Sequence, residues 1–330
     1  MHYLVTGANG LLGRALVPYL LAQGVSVRSF DLTPYPDARV QSIVGDLRDA
    51  AAVQQACAGM DGVLHLASVV YVGLGKPQQV YDINVTGTQH LLDACAQQGV
   101  PRLVYTSSID VVFDGSPIQA GDERLPYART PLDYYSETKI EAEQRVLAAN
   151  GTGGTATCAL RTAGIYGAGD KHRFPALIQQ AKAGRLMRIG AGRARFNHVY
   201  AENAAHAHWL AVQALSLNSA LAGQAYFITD HAPRNFFDFT LPFVHALGLP
   251  VSGGYLPCTI AAGLAQLLEW RWRLFPSERT AQVALTRYSV ASLCQDFWFS
   301  SAKAERDFGY APIVDETSAF ERTLAWLKTL

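Results

Sequence analysis

The stretch that most limits what this chain can fold into is Thr6-Gly7-Ala8-Asn9-Gly10-Leu11-Leu12-Gly13. Glycine turns are common, and this one takes its meaning from its flanks. "HYLVT" before it reads as a short apolar strand, and "RALVPYLLAQG" after it has helical spacing and a closing glycine. A G-x-x-G-x-x-G turn between a first strand and a helix is where a pyrophosphate sits in dinucleotide-binding folds. Without side chains, Gly7 and Gly10 let the backbone approach that group at a helix N-terminus. Gly13 lets the helix pack closely on the strand. A tight turn with no ligand is the plainer alternative.

The pattern continues. "VSVRSFD", "RVQSIVGD", "GVLHLA" and "RLVYTSS" read as further strands, separated by helical stretches such as "AAVQQACAG" and "NVTGTQHLLDACAQQG". Strands alternating with helices imply an α/β fold, a Rossmann-type doubly wound parallel sheet with helices on both faces. Strands with little polar alternation agree with burial on both sides. Asp31 ends the second strand, where a carboxylate would accept both ribose hydroxyls and repel a 2′-phosphate. No arginine follows it in "FDLTP", so NAD is expected over NADP, with nearby Arg28 the one feature against. Asp46 closes the third strand and suits the adenine amino group; its alternative is the N-cap of the helix in "RDAAAVQQ".

Composition narrows the class. The 330 residues are 49% hydrophobic and 16% charged, enough for a sizeable core in one large or two unequal domains. Lys+Arg and Asp+Glu are equal at 27 each, which gives no reason to expect a nucleic-acid partner. Five cysteines are scattered without a C-x-x-C pair, so neither a disulfide framework nor a metal site is expected. With no signal-peptide pattern at the start, the expected location is a reducing cytoplasm.

"DYYSETK", residues 133–139, supplies candidate chemistry. Tyr135 and Lys139 stand at i and i+4 and share one helical face. Tyr134 is turned roughly 100° away. A lysine beside a phenol favours the phenolate, a base usable near neutral pH. An amphipathic helix with a packed tyrosine and a solvated lysine is the bland alternative.

The glycine turn, "GDL", "HLAS", "NVTGT", "YTSS" and Tyr-x-x-x-Lys occur in that order, and together they resemble the extended short-chain dehydrogenase/reductases. "TSSIDVVFDG", "DERLPYARTPLDYYSETKIEAEQRVLAAN", "GIYGAGD", "ENAAHAHWLA" and "GQAYFITD" are similar to the 3β-hydroxysteroid dehydrogenase branch. Within it, "LPY" and "DYYSETK" look most like the decarboxylating sterol-4α-carboxylate 3-dehydrogenases. The resemblance implies Ser108 (or its neighbour Ser107), Tyr135 and Lys139 as catalytic residues. It implies cofactor contacts from Gly7, Asn9, Gly10, Leu11, Leu12, Gly13, Asp31, Asp46, Leu47, Leu66 and Ala67, as well as Tyr135 and Lys139. Lys139 would hold the nicotinamide ribose and lower the tyrosine pKa. Asn84 would support the helix or a proton relay; a purely structural amide is the alternative.

The implied reaction is NAD-dependent oxidation of the 3β-hydroxyl of a sterol or steroid, and for a 4α-carboxysterol loss of CO2 from the resulting β-keto acid. Lys171, His172 and Arg173 are candidates to hold the substrate carboxylate. Sugar-nucleotide epimerases of this superfamily usually place a phosphate-gripping arginine where this chain has Phe196. An aromatic residue there suits a flat apolar substrate, although Arg193 and Arg195 are close by. A reductase of another bulky apolar β-keto acid and a non-catalytic cofactor sensor are the remaining alternatives. One departure is Arg161-Thr162, where the family usually has Arg-Pro. A dinucleotide domain over 1–168 and a mainly substrate-binding domain over 169–330 are expected. Segments near 195–203 and 225–230 are expected to return to the large sheet. Relatives commonly form homodimers through helices matching 86–98 and 135–149.

"GGYLPCTIAAGLAQLLEWRWRLF", residues 253–275, is the most apolar stretch outside the sheet. It is too short before its charges begin to span a bilayer. Its helical spacing, with Trp270 and Trp272 alternating with arginines, fits either a helix lying on a membrane through 255–275 or one packed over the substrate pocket.

Overall fold

The computed structural model describes residues 1–71, 73–171, 173–251, 254–276 and 285–330. The strands are β1 (His2–Thr6), β2 (Ser26–Asp31), β3 (Gln41–Val44), β4 (Gly62–His65), β5 (Arg102–Ser108), β6 (Ile118–Gly121) and β7 (Ala156–Thr162). They continue with β8 (Gly164–Tyr166), β9 (Arg188–Ile189), β10 (His198–Tyr200), β11 (Gln224–Ile228), β12 (Tyr255–Leu256) and β13 (Phe297–Phe299). The helices are α1 (Leu11–Ala22), α2 (Ala50–Cys57), α3 (Gln78–Tyr81), α4 (Gly87–Gln98), α5 (Tyr134–Ala148) and α6 (Arg173–Lys182). After them come α7 (Ala201–Ala214), α8 (Phe236–Ala246), α9 (Cys258–Leu274), α10 (Arg287–Cys294), α11 (Ala302–Phe308) and α12 (Glu316–Leu327).

Seven strands form one parallel sheet in the order β3-β2-β1-β4-β5-β7-β11. Successive side chains along a strand point to opposite faces, so a strand buried on both sides must be apolar throughout. That is why Tyr3, Val5, Leu64, Val104 and Leu160 enter one core while Leu4, Val63, Leu103, Tyr105 and Ala159 enter the other. α1 and α7 cover the first face with Leu16, Val17, Ala204 and Ala211. α2, α4 and α5 cover the second with Val53, Leu91, Ala142 and Val146. The strand order reverses between β1 and β4, and at that switch point a crevice opens beyond the strand C-termini.

Chain after β7 divides its labour. β11 pairs with β7 at the edge of the large sheet. His198–Tyr200 does not join that sheet; it pairs with Gly164–Tyr166 in a separate two-stranded sheet. A third core of Tyr166, Phe174, Leu177, Phe239, Phe243 and Leu327 joins α6, α8 and α12. β13 returns to pair with β6 beside the first core.

One expectation changes here. Cys258 and Cys294 are joined in a disulfide between α9 and α10, whereas no disulfide was expected. Odd number and irregular spacing hide such a pair, because only the fold brings the two ends together. Cys57, Cys95 and Cys158 are free and buried. α9 turns its small residues Ala261 and Ala265 inward and leaves Ile260, Leu264, Leu267, Trp270 and Leu274 exposed. Among the described residues, which exclude Gly253, no helix is long and apolar enough to cross a membrane.

Candidate active site

The glycine turn forms the floor of the crevice. Gly7 has φ +69°, and a Cβ there would lie 2.8 Å from the backbone of Ala67, so only glycine fits. A Cβ on Gly13 would collide with the Ala8 and Gly7 carbonyl oxygens. α1 starts from Gly10 with no side-chain cap and no acidic residue in its first turn. Its first backbone N–H groups are therefore left for an anion. Asn9, Gly10, Leu47, Leu66 and Ala67 line the same groove. Leu11 and Leu12 open α1, with Leu12 turned into the core.

Asp31 ends β2 at the rim of this groove. Its carboxylate accepts the Asn9 N–H at 2.9 Å and the Leu32 N–H at 2.7 Å. Arg28 is occupied elsewhere: its guanidinium donates to the Ala56 and Ala58 carbonyls, both at 2.8 Å, and to Gln41. Asp46 also lines the groove and accepts from Arg48, which holds its carboxyl below the usual range. It is not the N-cap of α2; Asp49 is, accepting from Ala51 and Ala52. An uncapped helix end, a glycine-only approach and a carboxylate at the second strand's tip suit a dinucleotide. Lys171 lies on this groove too. His172 falls outside the described residues.

The catalytic candidates meet where β5 ends against the first turns of α5. Asp133 caps α5 by accepting the Ser136 N–H at 2.7 Å. Tyr135 and Lys139 then share the inward face, while Tyr134 faces outward beneath Lys76. Lys139 is buried; its Nζ donates to the Thr106 carbonyl at 2.6 Å and lies 4.2 Å from the Tyr105 ring centre. Burial pulls its pKa down to about 7, against the opposing charges of Glu143 and Asp110. Burial pushes the Tyr135 phenol up, and the carboxylates of Asp110 and Asp133 push the same way. Hydrogen bonds with Ser68 and Ser108 pull it back. In the free chain, then, the phenol is raised rather than lowered. The expected phenolate-favouring effect of Lys139 is outweighed by burial and two carboxylates that local spacing does not reveal.

Ser108 donates its hydroxyl to Asp110 Oδ2 at 2.6 Å. Ser107 Oγ is buried with no partner among the described residues. Asp110 Oδ1 accepts the Tyr288 hydroxyl from α10 at 2.7 Å. Neither Asp110 nor Tyr288 was singled out by sequence; the only local signal is an aspartate two residues past the serine. Asn84 clasps Val69 through both backbone groups and donates to Thr138 on α5. Thr162 lies between Ser108 and Ile228 in the sheet, and its hydroxyl donates to the Ser107 carbonyl.

Arg173 opens α6, with its guanidinium among Asp170, Asp110 and Tyr288. It donates one long hydrogen bond, 3.4 Å, to the Gly164 carbonyl, and a side chain at Gly164 would collide with it. Phe196 bridges Arg234 and Phe297 by its backbone, and its ring packs 4.7 Å from His198 and 5.6 Å from Phe297. Arg195 turns away to Asp296 and the Trp298 ring. A cleft at the start of α5 is walled by Leu132, Tyr134, Trp272, Arg287 and Tyr288, so α9 and α10 cover this side.

Residues 4–257 match the profile of the 3-beta hydroxysteroid dehydrogenase/isomerase family. The chain is 36% identical to the mouse (Mus musculus) "Sterol-4-alpha-carboxylate 3-dehydrogenase, decarboxylating", over 97% of this chain and 89% of that one. It is also 36% identical to the 2-alkyl-3-oxoalkanoate reductase of Stenotrophomonas maltophilia, over 98% and 99%. Among solved structures it resembles the Thermus thermophilus UDP-glucose 4-epimerase complex with NAD, with a TM-score of 0.75, 21% identity and 99% coverage of both chains. At that identity the likeness shows the fold.

Proposed function

We propose, for a chain that belongs to the 3-beta hydroxysteroid dehydrogenase/isomerase family, an NAD-dependent oxidation of the 3β-hydroxyl of a sterol or steroid whose neighbouring carbon carries a carboxylate. The chain is an oxidoreductase with a Rossmann-type fold, and NAD is its cofactor. The observation that carries the substrate reading is Arg173. A buried guanidinium near Asp110 and Tyr288 that, among the described residues, makes one long hydrogen bond, to the Gly164 carbonyl, has donors left for a planar carboxylate.

When bound, NAD supplies the hydride acceptor. The turn at Gly7 and Gly10 and the free amides of α1 would hold its pyrophosphate, and Asp31 would take the ribose hydroxyls. Tyr135, whose phenol burial keeps protonated in the free chain, would accept the hydroxyl proton at Oη only in the complex, where a charged Lys139 beside it favours the phenolate and Ser108 fixes the substrate oxygen. Lys139 keeps Tyr135 on the inner face and holds the nicotinamide ribose. A ketone two carbons from a carboxylate loses CO2 readily, because the electrons of the breaking bond enter the new carbonyl. Arg173 then has only to orient the carboxylate. The exposed face of α9, with Arg271 and Arg273 beside Trp270, suits contact with the lipid surface from which such a substrate comes.

A second reading rests on the reductase from S. maltophilia, which matches this chain almost end to end. Its named substrate is also a bulky apolar β-keto acid, so Arg173 and the catalytic set would serve it equally. The test is NADH formation with a 3β-hydroxysteroid, with and without a 4α-carboxylate, following CO2. Turnover and CO2 release with the carboxylate, weakened at least tenfold in KM by Arg173→Met, support the sterol reading. Turnover only of 2-alkyl-3-hydroxy acids overturns it for the second. Tyr135→Phe should cost at least a hundredfold in kcat with NAD affinity retained, whichever substrate is used.

A further inference from the structure

Ser108 has one hydroxyl proton, and in this structure that proton is committed to Asp110 Oδ2. A serine that must donate to a substrate oxygen cannot also donate to a carboxylate. Asp110 is buried, and its other oxygen accepts from Tyr288, which reaches in from α10. The groups facing it come from every neighbouring element. Ser108 lies on its own strand end, Tyr135, Lys139 and Asp133 stand at the start of α5, Arg173 on α6 and Tyr288 on α10.

We propose that Asp110, steadied by Tyr288, is a positioning residue that gates the Ser108 hydroxyl: ionised, it holds the serine proton; protonated, it donates to Ser108 Oγ and frees that proton for the substrate oxygen. The switch takes up one proton from solvent at the Asp110 carboxylate, and with it one hydrogen bond reverses direction. Burial raises the Asp110 pKa above the ordinary carboxylate value, against the pull of Ser108, Tyr288, Arg173 and Lys139, and so favours the protonated form. The consequence is directional. A ketone oxygen needs donors and is served by the protonated form, whereas an alcohol gives its own proton to Tyr135 and depends less on Ser108. Asp110 therefore acts on reduction more than on oxidation. This inference rests on the oxidoreductase reading of the site, and on no particular substrate.

Two measurements test it. The first needs no substrate: the Asp110 carboxyl carbon, identified by its loss in Asp110→Asn, is titrated by 13C NMR in the full chain and in Tyr288→Phe. Loss of the tyrosine's hydrogen bond to the ionised form should raise the titration midpoint by about one pH unit. The second is kcat/KM for NADH-dependent reduction of a saturated 3-ketosteroid between pH 5 and 9. The wild-type rate should fall tenfold per pH unit above the Asp110 midpoint, Tyr288→Phe should move that limb upward, and Asp110→Asn should abolish it. An Asp110 carbon that titrates identically in Tyr288→Phe, or an unchanged limb in Asp110→Asn, overturns the proposal. If the ketosteroid is not reduced at any pH, the sterol reading fails while the NMR titration still decides the Asp110–Tyr288 link.

Discussion

Asp31 makes no ion pair among the described residues, and its carboxylate is turned by two backbone amides toward the groove. A 2′-phosphate placed there would meet like charge. Asp31→Ser should therefore lower the ratio of the NADP Kd to the NAD Kd at least tenfold, measured by quenching of protein fluorescence. An unchanged ratio would move the discrimination to another residue. This residue was legible in the sequence because it ends the second strand of a recognisable unit, as was the Tyr135–Lys139 pair because one helical turn fixes their shared face. Asp110 and Tyr288 were not, since 178 positions separate them and only the tertiary fold joins them. Lys171 and Arg173 show the same limit: two residues apart, one lines the dinucleotide groove and the other is buried near Asp110 and Tyr288.

At the scale of elements, α9 and α10 behave as one unit. Cys258 and Cys294 bond their ends, Glu269 pairs with Arg287 at 2.7 Å, and Ala261 and Ala265 pack with Val290. So small an apolar core holds two helices together weakly, which gives the disulfide more to contribute. Closing a loop of this length should add about 2–4 kcal/mol to the unit. The double variant Cys258→Ser, Cys294→Ser should therefore unfold at lower urea, with an early transition reported by tryptophan fluorescence from Trp270 and Trp272. Coincident, unshifted transitions would mean that the bridge contributes nothing. The helical period of 258–274 was readable, but which face it hides was not: small residues and one carboxylate are buried while the large apolar ones are left outside.

Across the whole molecule, the pair Glu143–Arg161 joins α5 to β7 at 2.7 Å with both side chains buried. Tyr127 donates to the same carboxylate, and the rings of Tyr127 and Phe227 flank the guanidinium. Removing one partner of a buried pair leaves the other charge without compensation, so Glu143→Ala should cost about 3–5 kcal/mol in chemical denaturation. A loss below about 1 kcal/mol would show that water reaches Arg161. The parallel sheet was legible from its apolar runs; this pair was not, because a buried charge looks like any surface charge until its partner is known. The bond from Tyr288 to Asp110 carries a last consequence, in the order of synthesis. A ribosome completes the glycine turn early and the edge strand β11 later, and Tyr288 emerges only after that, an interval on the order of seconds. A nascent or C-terminally shortened chain should thus grip its cofactor before it can orient Ser108, so that binding precedes catalysis in the birth of the enzyme as it does in each turnover.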